Sequence, residues 1–120
     1  MITRSSVPHL HECTIHLSGV ASQKIQPELV ISNSKILSTY TDRILNNKEI
    51  WISKGRIACI KENGTANKNF NDLKVYDAQN NILAPGLVDP HMHIESSMMT
   101  ACAYAEAALL NGTTTIFCDS

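Results

Sequence analysis

The sequence predicts an α/β chain, and two patterns carry that reading. Between residues 29 and 84, short apolar and β-branched runs alternate with polar turns, the signature of a small β-rich domain. From residue 85 the pattern becomes an apolar strand, an alanine-rich helix and a second β-branched strand, which is the βαβ unit of a parallel sheet. The predicted organisation is an N-terminal segment with a short helix over 1–28, a β domain over 29–84 and the βαβ unit over 85–120.

In the first segment Leu10, Cys13 or Thr14, and Leu17 are spaced for a short helix ending before Gly19, and Pro27 rules out a long one. Strands are expected near 29–32, 35–40, 49–53, 56–61, 73–77 and 81–84, with Asn33-Ser34 as the turn between the first two. A serine tolerates positive φ less well than glycine, so that turn is expected to be of an unusual type or strained. Lys54-Gly55 reads as a tight hairpin, and the polar run 63–69 as a loop. Ile82 to Val88 is short, apolar and uncharged, as a buried parallel strand should be. Thr100 is a candidate N-cap for a helix over Ala101 to Leu110, with Cys102, Ala105 and Leu109 on one face and Asn111-Gly112 as its stop. Thr113 to Cys118 completes the unit as a strand.

Composition is that of a globular domain, with 43% hydrophobic and 18% charged residues, so disorder is not expected. A net charge of −1 gives no reason to expect nucleic acid or an anionic membrane as partner. No stretch is long and apolar enough to span a bilayer, and Arg4 has no apolar core behind it, so a secretory signal is not expected. The four cysteines, Cys13, Cys59, Cys102 and Cys118, form no C-x-x-C pair, which excludes a zinc ribbon and the Cys-ligated zinc deaminase signature. Reduced thiols in a cytoplasmic protein are the expectation, with Cys102 and Cys118 filling small gaps in the core.

Chemistry concentrates in residues 88–100. His91 and His93 lie two apart at the end of an apolar strand, so period-2 alternation puts both imidazoles on one face and Met92 on the other. Such a pair can hold a metal ion, and Pro90, which cannot donate to a sheet ladder, should end regular pairing there. Asp89 shares their face and either orients an imidazole or caps the strand end. Glu95 beside the pair is a candidate ligand, proton shuttle or substrate contact, or a solvated loop residue. Ser96 and Ser97 either bind substrate or satisfy free N–H groups of the next helix. Met98 and Met99 are expected in the core or a pocket wall. His9-Leu10-His11 repeats the spacing without a strand around it, and reads as solvated surface.

The run Pro85-Gly86-Leu87-Val88-Asp89-Pro90-His91-Met92-His93-Ile94-Glu95-Ser96-Ser97-Met98 resembles the opening of the catalytic barrel in the metal-dependent amidohydrolase superfamily. The Ile-Glu-Ser-Ser-Met continuation resembles, more narrowly, the adenine deaminase family. Gly112-Thr113-Thr114-Thr115 is similar to that family's G-T-T-T element, with Asp119 where the family has an aspartate. The resemblance implies the start of a (β/α)8 TIM-type barrel preceded by part of a small β-sandwich. A whole barrel needs about 250 residues, so the expectation is a truncated, N-terminal part. It implies a hydrolase of purine salvage that converts adenine and water to hypoxanthine and ammonia. Two divalent ions (manganese, iron or zinc) would be held in part by His91 and His93, and the intact protein could be a homo-oligomer. The alternatives are another cyclic amidohydrolase of the dihydroorotase or hydantoinase kind, or a non-catalytic remnant or interaction module.

Overall fold

A computed structural model describes residues 7–119 of the chain. The chain divides into two compact units, Met1–Ala84 and Pro85–Ser120.

The first unit opens with helix α1 (Leu10–Ala21), whose first turn is closed by the Glu12 carboxylate accepting from the His9 N–H at 2.9 Å. The helix runs through Gly19 rather than stopping before it. Its end is set at Gln23, which adopts a left-handed φ of 65° while Lys24 and Ile25 return their N–H groups to the Gly19 carbonyl. Cys13 and Val20 are its buried residues, and His16 Nε2 meets Ser53 Oγ at 3.2 Å, tying the helix to the sheet.

That sheet is built from β1 (Leu29–Ser38), β2 (Arg43–Ser53), β3 (Arg56–Glu62), β4 (Val75–Asp77) and β5 (Ile82–Leu83). Its order is β3-β2-β1-β4, an antiparallel meander with β4 and β5 both added parallel to β1. Lys54 and Gly55 join β2 to β3 with φ of 54° and 67°, the two positive angles of a type I′ hairpin.

The Asn33-Ser34 turn predicted from the sequence is absent, and β1 is one continuous strand. Ile31 pairs with Ile50 and Ser34 with Lys48, so β1 carries one extra residue there; between Ser34 and Ile36 the extra residue lies in β2. Asn33 and Asn47 take left-handed φ values of 51° and 53°, a conformation asparagine tolerates. The two opposed bulges cancel, so Val30, Ser34 and Ile36 all remain buried. Asn33 is held by its neighbours. Its N–H donates to Asn63 Oδ1 at 2.9 Å, and its amide donates to Asp77 Oδ1 at 3.0 Å. The Gln79 N–H also donates to Asp77, and these bonds hold the Asp77 carboxyl below the usual carboxylate range. Ser34 escapes strain altogether: it is fully buried and donates to the Lys48 carbonyl at 2.9 Å.

The core of this unit is Val20, Val30, Trp51 and Ala66, with Ala58, Cys59, Phe70 and Leu73 packed around it. Burial raises the Cys59 thiol above its ordinary value. The run expected as a loop over 63–69 contains a one-turn helix, α2 (Thr65–Asn69), because the buried Glu49 carboxylate accepts from the Gly64 and Ala66 N–H groups, each at 2.8 Å. Glu49 also accepts from Trp51 Nε1 at 2.7 Å.

In the second unit β6 (Leu87–Met92) pairs parallel with β7 (Thr113–Cys118) across helix α3 (Ala101–Leu110). The apolar run 82–88 is therefore not one strand. Pro85 has no N–H for a ladder, and the run is split between β5 and β6 in different sheets. Thr100 Oγ1 accepts from the Ala103 N–H at 3.3 Å as the predicted N-cap, and Gly112 (φ 84°) follows the helix end.

Among residues 85–119 none is fully buried, since two strands and one helix cannot cover a parallel sheet on both faces. Leu87 and Val88 are more than half exposed, as an apolar strand without the rest of a barrel around it should be. Cys102 and Cys118 are exposed rather than filling a core, and the half-buried face of α3 is Tyr104, Ala105 and Ala108 instead of Cys102, Ala105 and Leu109.

Close strand contact within this unit depends on Gly86. A Cβ built there overlaps Thr114 Oγ1 and Cγ2 and lies 2.7 Å from the Thr114 Cβ. Gly86→Ala is expected to destabilise the β6–β7 pair by about 1–3 kcal/mol. Amide exchange at Leu87, whose N–H donates to the Gly112 carbonyl, should accelerate accordingly, with partial rescue by Thr114→Ala. Unchanged exchange in Gly86→Ala would show that the strands part at no cost.

Candidate functional site

The site grows from the end of β6. Parallel pairing runs from Leu87 with Thr113 through Asp89 with Ile116, is interrupted at Pro90 and His91, and resumes at Met92 with Cys118. Pro90 thus interrupts the ladder without ending the strand. At the gap the Asp89 carboxylate accepts from the His91 N–H at 3.2 Å, so Asp89 touches the backbone of His91 where the ladder is broken. The Asp119 N–H donates to the Met92 carbonyl at 3.3 Å, which brings Asp119 to the same end of the two-stranded sheet.

His91 and His93 are exposed and Met92 is half-buried, as strand alternation requires. The two imidazoles meet edge to face, with ring centroids 4.7 Å apart and planes at 88°. His93 Nδ1 lies 3.1 Å from Glu95 Oε1. This contact was not anticipated from the sequence, although a carboxylate two residues after the second histidine was its visible signal.

Residues Ile94–Ser97 form a turn of 3-10 helix. Ser97 Oγ donates to the Ile94 carbonyl at 2.6 Å, so its hydroxyl closes its own turn and caps no N–H of α3, a role that Thr100 fills. Ser96 is exposed. Met98 is 96% exposed with a left-handed φ of 55°, and Met99 is also exposed; neither is a core residue, because their position at the turn's end points them away from the sparse packing of this unit.

Two neighbouring imidazoles offer the nitrogen donors that zinc, manganese and iron accept, so they fit part of a metal's coordination. They do not complete it: among the described residues no group of three or more His, Cys, Asp and Glu side chains is placed to hold an ion. His9 and His11 also approach each other, at 5.7 Å with nearly parallel rings, but both are exposed at the start of α1 and have no strand end or carboxylate on their rings. No helix is long and apolar enough to cross a membrane among the described residues.

This architecture is shared with solved hydrolases. A prolidase crystallised with N-methylphosphonate-L-proline matches 75% of this chain, and 25% of its own length, at a TM-score of 0.57 and 15% identity. An amidohydrolase structure matches the same shares at a TM-score of 0.52 and 20% identity. The fold is therefore the mixed α/β fold found in amidohydrolase structures. No family model matches the chain. Curated relatives nevertheless match 99% of it: an adenine deaminase of Bradyrhizobium sp. (strain BTAi1) is 59% identical over 119 residues, and adenine deaminase 3 of Rhizobium johnstonii is also 59% identical over 119. An adenine deaminase of Staphylothermus marinus is 39% identical over 106 residues. In sequence, the chain is similar over nearly its whole length to part of these adenine deaminases. It spans about a fifth of the length of these relatives, 20% for the first two and 18% for the third.

Proposed function

We propose that this chain is the opening part of a metal-dependent adenine deaminase, the enzyme that converts adenine and water to hypoxanthine and ammonia. One observation carries the reading: 59% identity to a protein of that name over 119 residues, a span that includes the paired histidines at the end of a parallel strand. In the intact protein residues 29–84 would form part of a β-sandwich and residues 85–120 the first βαβ unit of a (β/α)8 barrel. Barrel sites lie at the C-terminal ends of the strands, which is where β6 presents its imidazoles.

His91 and His93 would hold one side of a site for two divalent ions, manganese, iron or zinc. Bound there, such ions make water acidic enough to serve as a nucleophile near neutral pH. The part played by this chain is positional. Asp89 fixes the backbone of His91 where the ladder is broken. Of the two serines, Ser96 is the one whose exposure suits a contact with the purine, because the Ser97 hydroxyl is committed to Ile94.

The isolated chain is expected to be inactive, since two imidazoles fall short of the three protein ligands of a catalytic metal site. The test is adenine consumption with added manganese, iron or zinc. It is run on this chain and on a hybrid in which the chain replaces the matching 119 residues of the Bradyrhizobium deaminase. Turnover by the hybrid alone is expected. Turnover by the isolated chain would overturn the ligand count, and a soluble, metal-loaded hybrid that leaves adenine intact would overturn the function.

A further inference from the structure

We infer that Glu95 is a positioning residue for His93: its carboxylate fixes the proton on Nδ1 and so leaves Nε2 as the nitrogen that binds metal. The inference rests on the metal-ligand role proposed for His93 and adds to it which ring atom ligates and what holds it there.

Glu95 Oε1 lies 3.1 Å from His93 Nδ1. A carboxylate only accepts, so this contact favours the hydrogen on Nδ1, and in the neutral ring that leaves the lone pair on Nε2. Ligating histidines commonly give their second N–H to a carboxylate, which sets both tautomer and ring orientation. The Asp89 carboxylate is used differently here, with Oδ1 accepting from the His91 backbone N–H. Glu95 can supply the carboxylate, because the residues after His93 are wound into a closed turn. The Ser96 N–H donates to the His93 carbonyl at 3.1 Å and the Met98 N–H to the Glu95 carbonyl at 3.1 Å, while Ser97 Oγ ties back to Ile94. Met98, in its left-handed conformation, terminates the turn. Both side chains are about half exposed, so apart from the edge-to-face contact with His91 little packing holds the ring, and the hydrogen bond is its polar restraint. The Ile-Glu-Ser-Ser-Met segment thereby acquires a purpose: a short rigid turn that returns a carboxylate to the second histidine.

The first test reads the tautomer directly, without metal. The chain labelled with 15N-histidine is examined by NMR at about pH 8. The His93 signals are identified by their loss in His93→Ala. Protonation at Nδ1 is expected, with a switch to Nε2–H in Glu95→Ala. Glu95→Gln should retain the Nδ1–H form, because its amide oxygen still accepts. Nε2–H in the unsubstituted chain, or no switch in Glu95→Ala, overturns the inference.

The second test uses the hybrid deaminase, loaded with zinc and dialysed against a chelator. Glu95→Ala should lose metal about 10–100-fold more readily, and Glu95→Gln should stay within about threefold of the unsubstituted hybrid. Equal retention in Glu95→Ala overturns the inference even if the variant folds normally. A hybrid that retains metal in a Glu95-dependent way yet leaves adenine intact would sink the substrate assignment and support the role of Glu95.

Discussion

Glu49→Ala is expected to unfold the first unit at much lower denaturant than the unsubstituted chain. The Glu49 side chain is almost fully buried, and its two oxygens accept from Trp51 Nε1, the Gly64 N–H and the Ala66 N–H. Alanine removes all three acceptor contacts and leaves the donors inside the protein. Each buried donor left without a partner costs about 1–3 kcal/mol, so a loss of about 3 kcal/mol or more is expected. The damage should spread to α2, whose first turn is capped by this carboxylate, and to the edge-to-face contact of Trp51 with Phe70 at 5.8 Å. Glu49→Gln should cost less, because its amide oxygen can still serve Trp51 and Ala66 while its NH2 group faces the Gly64 donor. Trp51 is the sole tryptophan, so its fluorescence during urea unfolding reports this unit. The midpoint should fall with little change in slope, the mark of lost stability rather than altered compactness. An unfolding free energy for Glu49→Ala within about 1 kcal/mol of the unsubstituted chain would show that water or a rearranged turn satisfies these donors.

Glu49 also shows where sequence reading stops. In the run Lys48-Glu49-Ile50 it looks like an ordinary solvent-facing strand residue, and its partners at α2, Gly64 and Ala66, lie 15 and 17 positions away. Only the fold brings them together, and the same contact converts an expected loop into α2. The bulges of β1 and β2 were hidden for a related reason. Asn33 reads locally as a turn, and the compensating Asn47 matters only once the strands are paired. Features set by neighbours in sequence were legible. The Lys54-Gly55 hairpin, the Thr100 cap and the alternation of His91, Met92 and His93 each depend on a few adjacent residues. In the second unit apolar character says that a face seeks cover, and the truncation implied by the resemblance is what leaves the faces of 82–88 and 113–118 without it. Leu87, Val88 and Phe117 stay more than half exposed.

In the hybrid deaminase, His91→Ala and His93→Ala are each expected to abolish most activity, and the histidines of the N-terminal helix supply the control. Both pairs have the same H-x-H spacing, and the strand-end pair differs in its edge-to-face rings and in the Glu95 carboxylate on the His93 ring. A metal supplies several kcal/mol of transition-state stabilisation, so loss of one ligand should lower kcat/KM by about a thousandfold. Metal content after gel filtration should fall in parallel, which separates a lost ligand from a lost substrate contact. His9→Ala and His11→Ala should leave both quantities unchanged, since those rings project from the exposed start of α1. Circular dichroism should match the unsubstituted hybrid in all four variants, because neither ring pair belongs to the core around Trp51. Near-normal turnover and metal content in His91→Ala or His93→Ala would remove these residues from the site. Loss of metal in His9→Ala or His11→Ala would mean that strand context is not what distinguishes the two pairs.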